Sequence, residues 1–252
     1  AAAIYQAGNT LSFTVNFSEN VTVTGTPRLT LDIGGTTKYA TYASGTGSSA
    51  LVFSYTVESE LTDADGIVIS TLDANGGTLK DGVGNDATLT LNSVGDTTAV
   101  RVEAVAPAVT SVMVPAAATY KAGDTLSFTV NFSENVNVTG TPRLGLDIGG
   151  TTKYATFASG SGSAALVFSY QVETGLTDTD GIAVSALQTN NGTLKDAAGN
   201  HATLTLNNVS SLVSVKVDSQ APTVTGVTSS KVDGSYKAGD VIAIDVNFSE
   251  VV

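Results

Sequence analysis

One stretch occurs three times in this chain, and its spacing limits what the chain can fold into. YQAGNTLSFTVNFSE begins at Tyr5, YKAGDTLSFTVNFSE at Tyr120 and YKAGDVIAIDVNFSE at Tyr236. The copies lie 115 and 116 residues apart (120 − 5 and 236 − 120), so the period is that of a domain rather than of a hairpin. In the second copy Leu126, Phe128, Val130 and Phe132 alternate with Ser127, Thr129 and Asn131. A period of two marks a half-buried β-strand. The Ala-Gly-Asn or Ala-Gly-Asp turn launches that strand, and Glu134 stands where it is expected to run into a loop.

Over 252 residues this period gives two near-complete domains and the start of a third. The expected boundaries are 1–104, with its N-terminal strand incomplete, 105–219, and 220–252 holding the first two strands of a third repeat. Both ends fall part-way through a repeat, which reads as a window from a much longer protein. Apolar residues make up 42% of the chain, enough for cores of this size, yet they never run long enough for a membrane-spanning helix. The net charge is −12, with 11 basic against 23 acidic residues. That balance excludes a phosphate-tracking surface and a nucleic-acid partner, and it favours divalent cations. Cysteine is absent, so neither disulfides nor thiolate metal sites hold the domains.

The junctions between repeats are parallel. RVEAVAPAVTSV from Arg101 and KVDSQAPTVTGV from Lys216 each read as strand, acid, Ala-Pro and new strand. Proline removes a donor and biases its predecessor towards extended backbone, which suits a short, stiff linker. Within the second repeat, strands are expected near 108–115, 125–133, 143–148, 153–158, 165–172, 182–187, 202–206 and 213–217. Gly149-Gly150, SGSGSAA from Ser159, Asp180-Gly181, Asn191-Gly192 and Gly199-Asn200 punctuate them. No segment keeps a helical period. Seven or eight short strands in about 100 residues imply an all-β fold of tandem immunoglobulin-like β-sandwich domains, joined end to end by short linkers.

The first two copies share SENVxVTGTPRLxLDIGGTTKYAT, ALVFSY and a GTLKD turn, and the same frame continues through D-x-D-G-I, K-D-x-x-G-N and the Ala-Pro junction. In combination these residues resemble the bacterial immunoglobulin-like repeats of giant surface proteins: the extender regions of RTX-type adhesins and the long repeats of cyanobacterial surface proteins. The resemblance covers essentially the whole chain. It implies secretion to the bacterial cell surface, β-sandwiches rigidified by calcium, and the role of a spacer. One departure is the first linker, Glu103-Ala104-Val105, where the second reads Asp218-Ser219-Gln220.

Laying an immunoglobulin-like topology over the strands assigns the acids to domain ends. Glu134, Asp196 and Asn200 face the preceding linker; Asp178 and Asp180 face the following one. The first junction would then gather Glu103, Glu134 and Asp196, with Asp63 and Asp65 below. The second would gather Asp218 and Glu250, with Asp178 and Asp180 below. Hard oxygen donors in loops suit Ca2+. Asp and Asn are equally ordinary turn formers, and the nonapeptide of calcium-binding β-rolls is not present. His201 has no partner at metal spacing and reads as a turn residue. No paired acids with a sugar platform and no G-x-S-x-G elbow occur, so the chain reads as a non-enzyme.

A catalytic site has no reason to be copied every 115 residues, whereas length accumulates with each copy. The expected function is therefore a structural spacer or stalk whose partners are neighbouring repeats. Two alternatives are a filament or surface-layer subunit that exchanges strands with other copies, and a carbohydrate- or protein-binding module.

Overall fold

The computed structural model describes residues 3–252 and contains no helix among them, so no helix is available to cross a membrane. The chain is all-β. In the first repeat the strands are β1 (Ala3–Tyr5), β2 (Thr10–Thr24), β3 (Arg28–Ile33), β4 (Thr36–Ser44), β5 (Ser48–Thr56), β6 (Thr62–Asp63), β7 (Val68–Asp73), β8 (Thr78–Lys80) and β9 (Val100–Glu103). The second holds β10 (Val109–Met113), β11 (Ala118–Tyr120), β12 (Thr125–Thr139), β13 (Arg143–Ile148), β14 (Thr151–Ser159) and β15 (Ser163–Gln171). It closes with β16 (Thr177–Asp178), β17 (Ala183–Gln188), β18 (Thr193–Lys195) and β19 (Val215–Asp218). Beyond them lie β20 (Val224–Thr228) and β21 (Asp245–Phe248).

Each repeat has one large and one small sheet. The large sheets run β7-β3-β4-β5-β2-β8 and β10-β12-β15-β14-β13-β17, with β18 also on β12; the small ones run β1-β9-β6 and β11-β19-β16. Alternation along β12 explains the layering. Leu126, Phe128 and Val130 are fully buried while Ser127 faces solvent, the outcome required of a strand covered on one side. Two separate apolar clusters result, one drawn from residues 11–104 and the other from 109–217. A β-sandwich class agrees with this layering.

Several strand expectations are corrected. The strand starting at Thr125 does not end before Glu134. It continues to Thr139 through a register break between Asn131 and Val136, and its far end pairs with β18. Such an irregularity lets one long strand serve two partners. Residues 202–206 hold one isolated bridge rather than a strand, Thr203 pairing with Ala108. The two- and three-residue strands β11, β16 and β18 had no signal, being too short to display a period.

A difference between the repeats follows from β10. It pairs antiparallel with β12, matching Val112 to Val130 and Val109 to Phe132. No described strand holds that place beside β2. Accordingly Phe13, Val15 and Phe17 are only half-buried, although their counterparts Phe128, Val130 and Phe132 are 0%, 0% and 5% exposed.

Candidate functional site: the junction between repeats

The turn Lys195-Asp196-Ala197-Ala198-Gly199-Asn200 closes on its own aspartate. Oδ1 of Asp196 accepts the N–H groups of Gly199 (2.6 Å) and Asn200 (2.8 Å), and Oδ2 accepts the Asn200 side-chain amide at 2.7 Å. Asp and Asn at this spacing bond their own backbone, which is why the sequence turns here. The same amide of Asn200 also donates to the main-chain carbonyl of Glu103 at 2.9 Å, across the junction. Asp196 and Asn200 are buried at 6% and 7% exposure.

The first repeat provides an internal control. Asp81 accepts from Val83, Asn85 and the Asn85 amide in a similar pattern, with distances of 2.7–2.9 Å, but here the aspartate is only half-buried and Asn85 is exposed. There the Asn85 amide, followed by main-chain N–H groups, holds the Asp81 carboxyl below its ordinary range. Burial of this turn in the second repeat is thus a property of the junction and not of the turn.

Gly199 completes the contact. Its φ of +105° favours glycine, and a Cβ there would stand 2.6 Å from Oε1 of Gln6. Gln6 belongs to the Ala-Gly-Asn turn of the first repeat, and its Oε1 is buried without a hydrogen-bond partner. Nothing in the sequence singled out Gln6, because its counterparts are Lys121 and Lys237.

Glu134 joins the same region. Burial, reinforced by the charges of Asp196 and Glu103, pushes its carboxyl above the ordinary range. Glu103, Glu134 and Asp196, expected together from sequence, therefore interact at one junction. Glu103 also accepts the Val105 N–H through Oε1 at 3.1 Å, which shapes the linker. Among the described residues, no group of three or more His, Cys, Asp or Glu side chains is placed to hold a metal ion.

The remaining acids occupy other settings. Asp63 and Asp178 are buried staples inside their own repeats. Asp63 accepts the N–H of Gly34 (2.8 Å) and of Gly66 (2.7 Å), one on each oxygen. Asp178 repeats this with Gly149 and Gly181, both at 2.7 Å. The tight Gly-Gly hairpin fits beneath because a Cβ on Gly34 would lie 1.9 Å from the Thr62 carbonyl. Asp65 and Asp180 in the same turns are exposed, as are Asp218, Glu250 and His201. At the second linker Ser219 is buried; its hydroxyl accepts from Leu176 N–H at 2.7 Å and donates to the Leu176 carbonyl at 2.9 Å. Ala104 fills the equivalent place in the first linker, using its main chain alone on Leu61.

No protein-family model matches the chain, and no curated protein matches it either.

Proposed function

We propose that the chain is a run of immunoglobulin-like spacer repeats from a secreted or surface-attached bacterial protein, whose work is to set distance and hold direction. The observation that carries this reading is the buried junction, in which Asn200 and Gly199 of one repeat meet Glu103 and Gln6 of the one before. A linker free to swing would have left Asn200 as exposed as Asn85 and Asp196 only half-buried like Asp81. Fixed end-to-end contacts made from a repeated motif add length without adding freedom. No chemistry on substrates is called for.

Calcium is the counter-ion we assign to the junction. Glu134 sits half-buried against two other acids, and a hard dication relieves that repulsion. Glu134 and Glu103 would supply the carboxylate oxygens. Asp196 already spends both of its oxygens on its own turn, so its part would be electrostatic. An ion held there would stiffen the joint, because its ligands come from both sides of the linker.

The test is thermal unfolding of the chain, read by circular dichroism, in millimolar calcium and again in EGTA. A rise in melting temperature with calcium, lost in Glu103→Ala/Glu134→Ala, supports the cation. Equal melting in both buffers removes calcium and leaves the spacer. Small-angle scattering decides the spacer itself: a profile that needs a broad ensemble of inter-repeat angles would overturn it.

A further inference from the structure

We propose that the side chain opening the Ala-Gly turn, Gln6 in the first repeat, decides how the acids of the joint are balanced. A lysine at that position brings its own ammonium, whereas glutamine leaves the joint to take a cation from solution. The identity of that cation rests on the calcium reading given above. The choice made at position 6 stands on observations of its own.

The joint is rich in acceptors and short of donors. Glu134 is half-buried, and burial and two neighbouring carboxylates act on it with no hydrogen bond to offset them. Oε1 of Gln6 is buried and accepts none either. Both amide hydrogens of Asn200 are already committed, one to Asp196 and one to the Glu103 carbonyl. Among the described residues the ion pairs join Arg28 to Asp73, Lys38 to Glu58, Lys80 to Asp86 and Lys153 to Glu173. None of them balances Glu103, Glu134 or Asp196. Three carboxylates and an orphaned amide oxygen thus meet with no basic side chain paired to them, and burial makes that imbalance costly.

Gln6 stands where the missing charge would enter. Gly199 lies between it and the acids: a Cβ there would be 2.6 Å from Gln6 Oε1, and its N–H donates to Asp196 Oδ1 at 2.6 Å. The turn does not need the glutamine, because its main chain closes it, the Gln6 N–H donating to Asn9 Oδ1 at 3.1 Å. The other copies close the same turn from Lys121 to Asp124 and from Lys237 to Asp240, both at 2.9 Å. Two residues change together: glutamine goes with asparagine in the first copy, lysine with aspartate in the other two. The turn is neutral either way, yet only the lysine copies have an ammonium to present to a neighbour. Lys121 is exposed and belongs to none of the ion pairs, so Asp124 does not hold its side chain. An ammonium carries three donors and no acceptor, which is what a joint crowded with oxygens lacks.

Thermal unfolding of the 252-residue chain and of Gln6→Lys, each in EGTA and in millimolar calcium, tests this. The variant should keep the circular dichroism spectrum, since the same turn forms around lysine in the other copies. In EGTA it should melt roughly 4 °C above the wild type, and any further rise that calcium gives the wild type should disappear. Measured on a Glu134→Gln background, Gln6→Lys should add far less, because the ammonium has lost its half-buried partner. Three results would each overturn the proposal. One is a Gln6→Lys chain that melts no higher than the wild type in EGTA. Another is a gain of the same size with and without Glu134→Gln. The last is a calcium response as large in Gln6→Lys as in the wild type. A wild type that melts alike in both buffers removes calcium as the ion. A gain from Gln6→Lys in EGTA that Glu134→Gln abolishes would still uphold the choice at position 6, so the two failures are separable.

Discussion

Replacing Asn200 by alanine and, separately, its counterpart Asn85 compares one turn in two settings. Asn85→Ala removes a single side-chain bond, to Asp81, at an exposed site. Asn200→Ala removes the bond to Asp196 and the bond to the Glu103 carbonyl, at 2.7 and 2.9 Å, from a buried site. A bond to a charged acceptor contributes about 1.5–3 kcal/mol, and stranding a buried carbonyl costs about 1 kcal/mol more. Asn200→Ala should therefore cost about 3 kcal/mol and Asn85→Ala a small fraction of that. With a urea dependence of about 1.5–3 kcal/mol/M, the unfolding midpoint of the second repeat should fall by roughly 1–2 M. Urea titration followed by circular dichroism reads both variants. Equal shifts would refute the reasoning, because the junction would then add nothing to what the turn does alone.

The staple of the Asp-x-Asp-Gly turn lies within a repeat, so Asp63→Ala and Asp178→Ala should lower urea midpoints alike. Each strands two backbone donors, a loss of about 3 kcal/mol, and unequal losses would count against the staple. A pH series tests Glu134. Its carboxyl is raised in the folded state, so its contribution is complete below the unfolded value of about 4.3 and is lost as pH rises through the folded value. Glu134→Gln should then melt higher than the wild type at about pH 7 in chelator, with the gap closing on acidification; parallel melting curves across that range would contradict this. Leu89→Ala, beside the uncovered edge of β2, should cost less than Leu204→Ala, the equivalent beside β10, because fewer neighbours are lost around a half-open site. Urea midpoints decide that comparison too.

Most of the long strands were legible, since β15 alternates cleanly and β13 and β17 are short apolar runs beside Gly-Gly and Asp-Gly turns. What escaped was structure made by contact. β16 is two residues long and exists because Thr177 and Asp178 reach Asp218 and Val217. Glu134 sat at a strand end by pattern, but the break near Val136 carries the chain on into a second pairing. Grouping Glu103 with Glu134 and Asp196 was possible from topology, since alternate loops fall at alternate ends. The part played by Gln6 was not, because its significance lies in meeting Gly199, a residue of the next repeat. Asp63 and Asp178 show the converse: an acidic turn that reads as a cation site has its carboxylate taken up by backbone N–H groups.

Each repeat ties its beginning to its end. β1 lies parallel to β9, with Ala3 opposite Val100 and Tyr5 opposite Val102, and β11 lies parallel to β19 in the same register. When the two ends of the first repeat are pulled apart, the parallel strands β1 and β9 are drawn past each other in shear; in the second repeat β10 precedes β11, so the load reaches β11 and β19 once β10 has left β12. Their hydrogen bonds are loaded together and do not open one at a time like a zip. Rupture under load is governed by the unfolding rate, so this arrangement raises the tension a repeat withstands without requiring a larger equilibrium stability. An array built this way would behave as a tether that holds until a repeat gives way all at once.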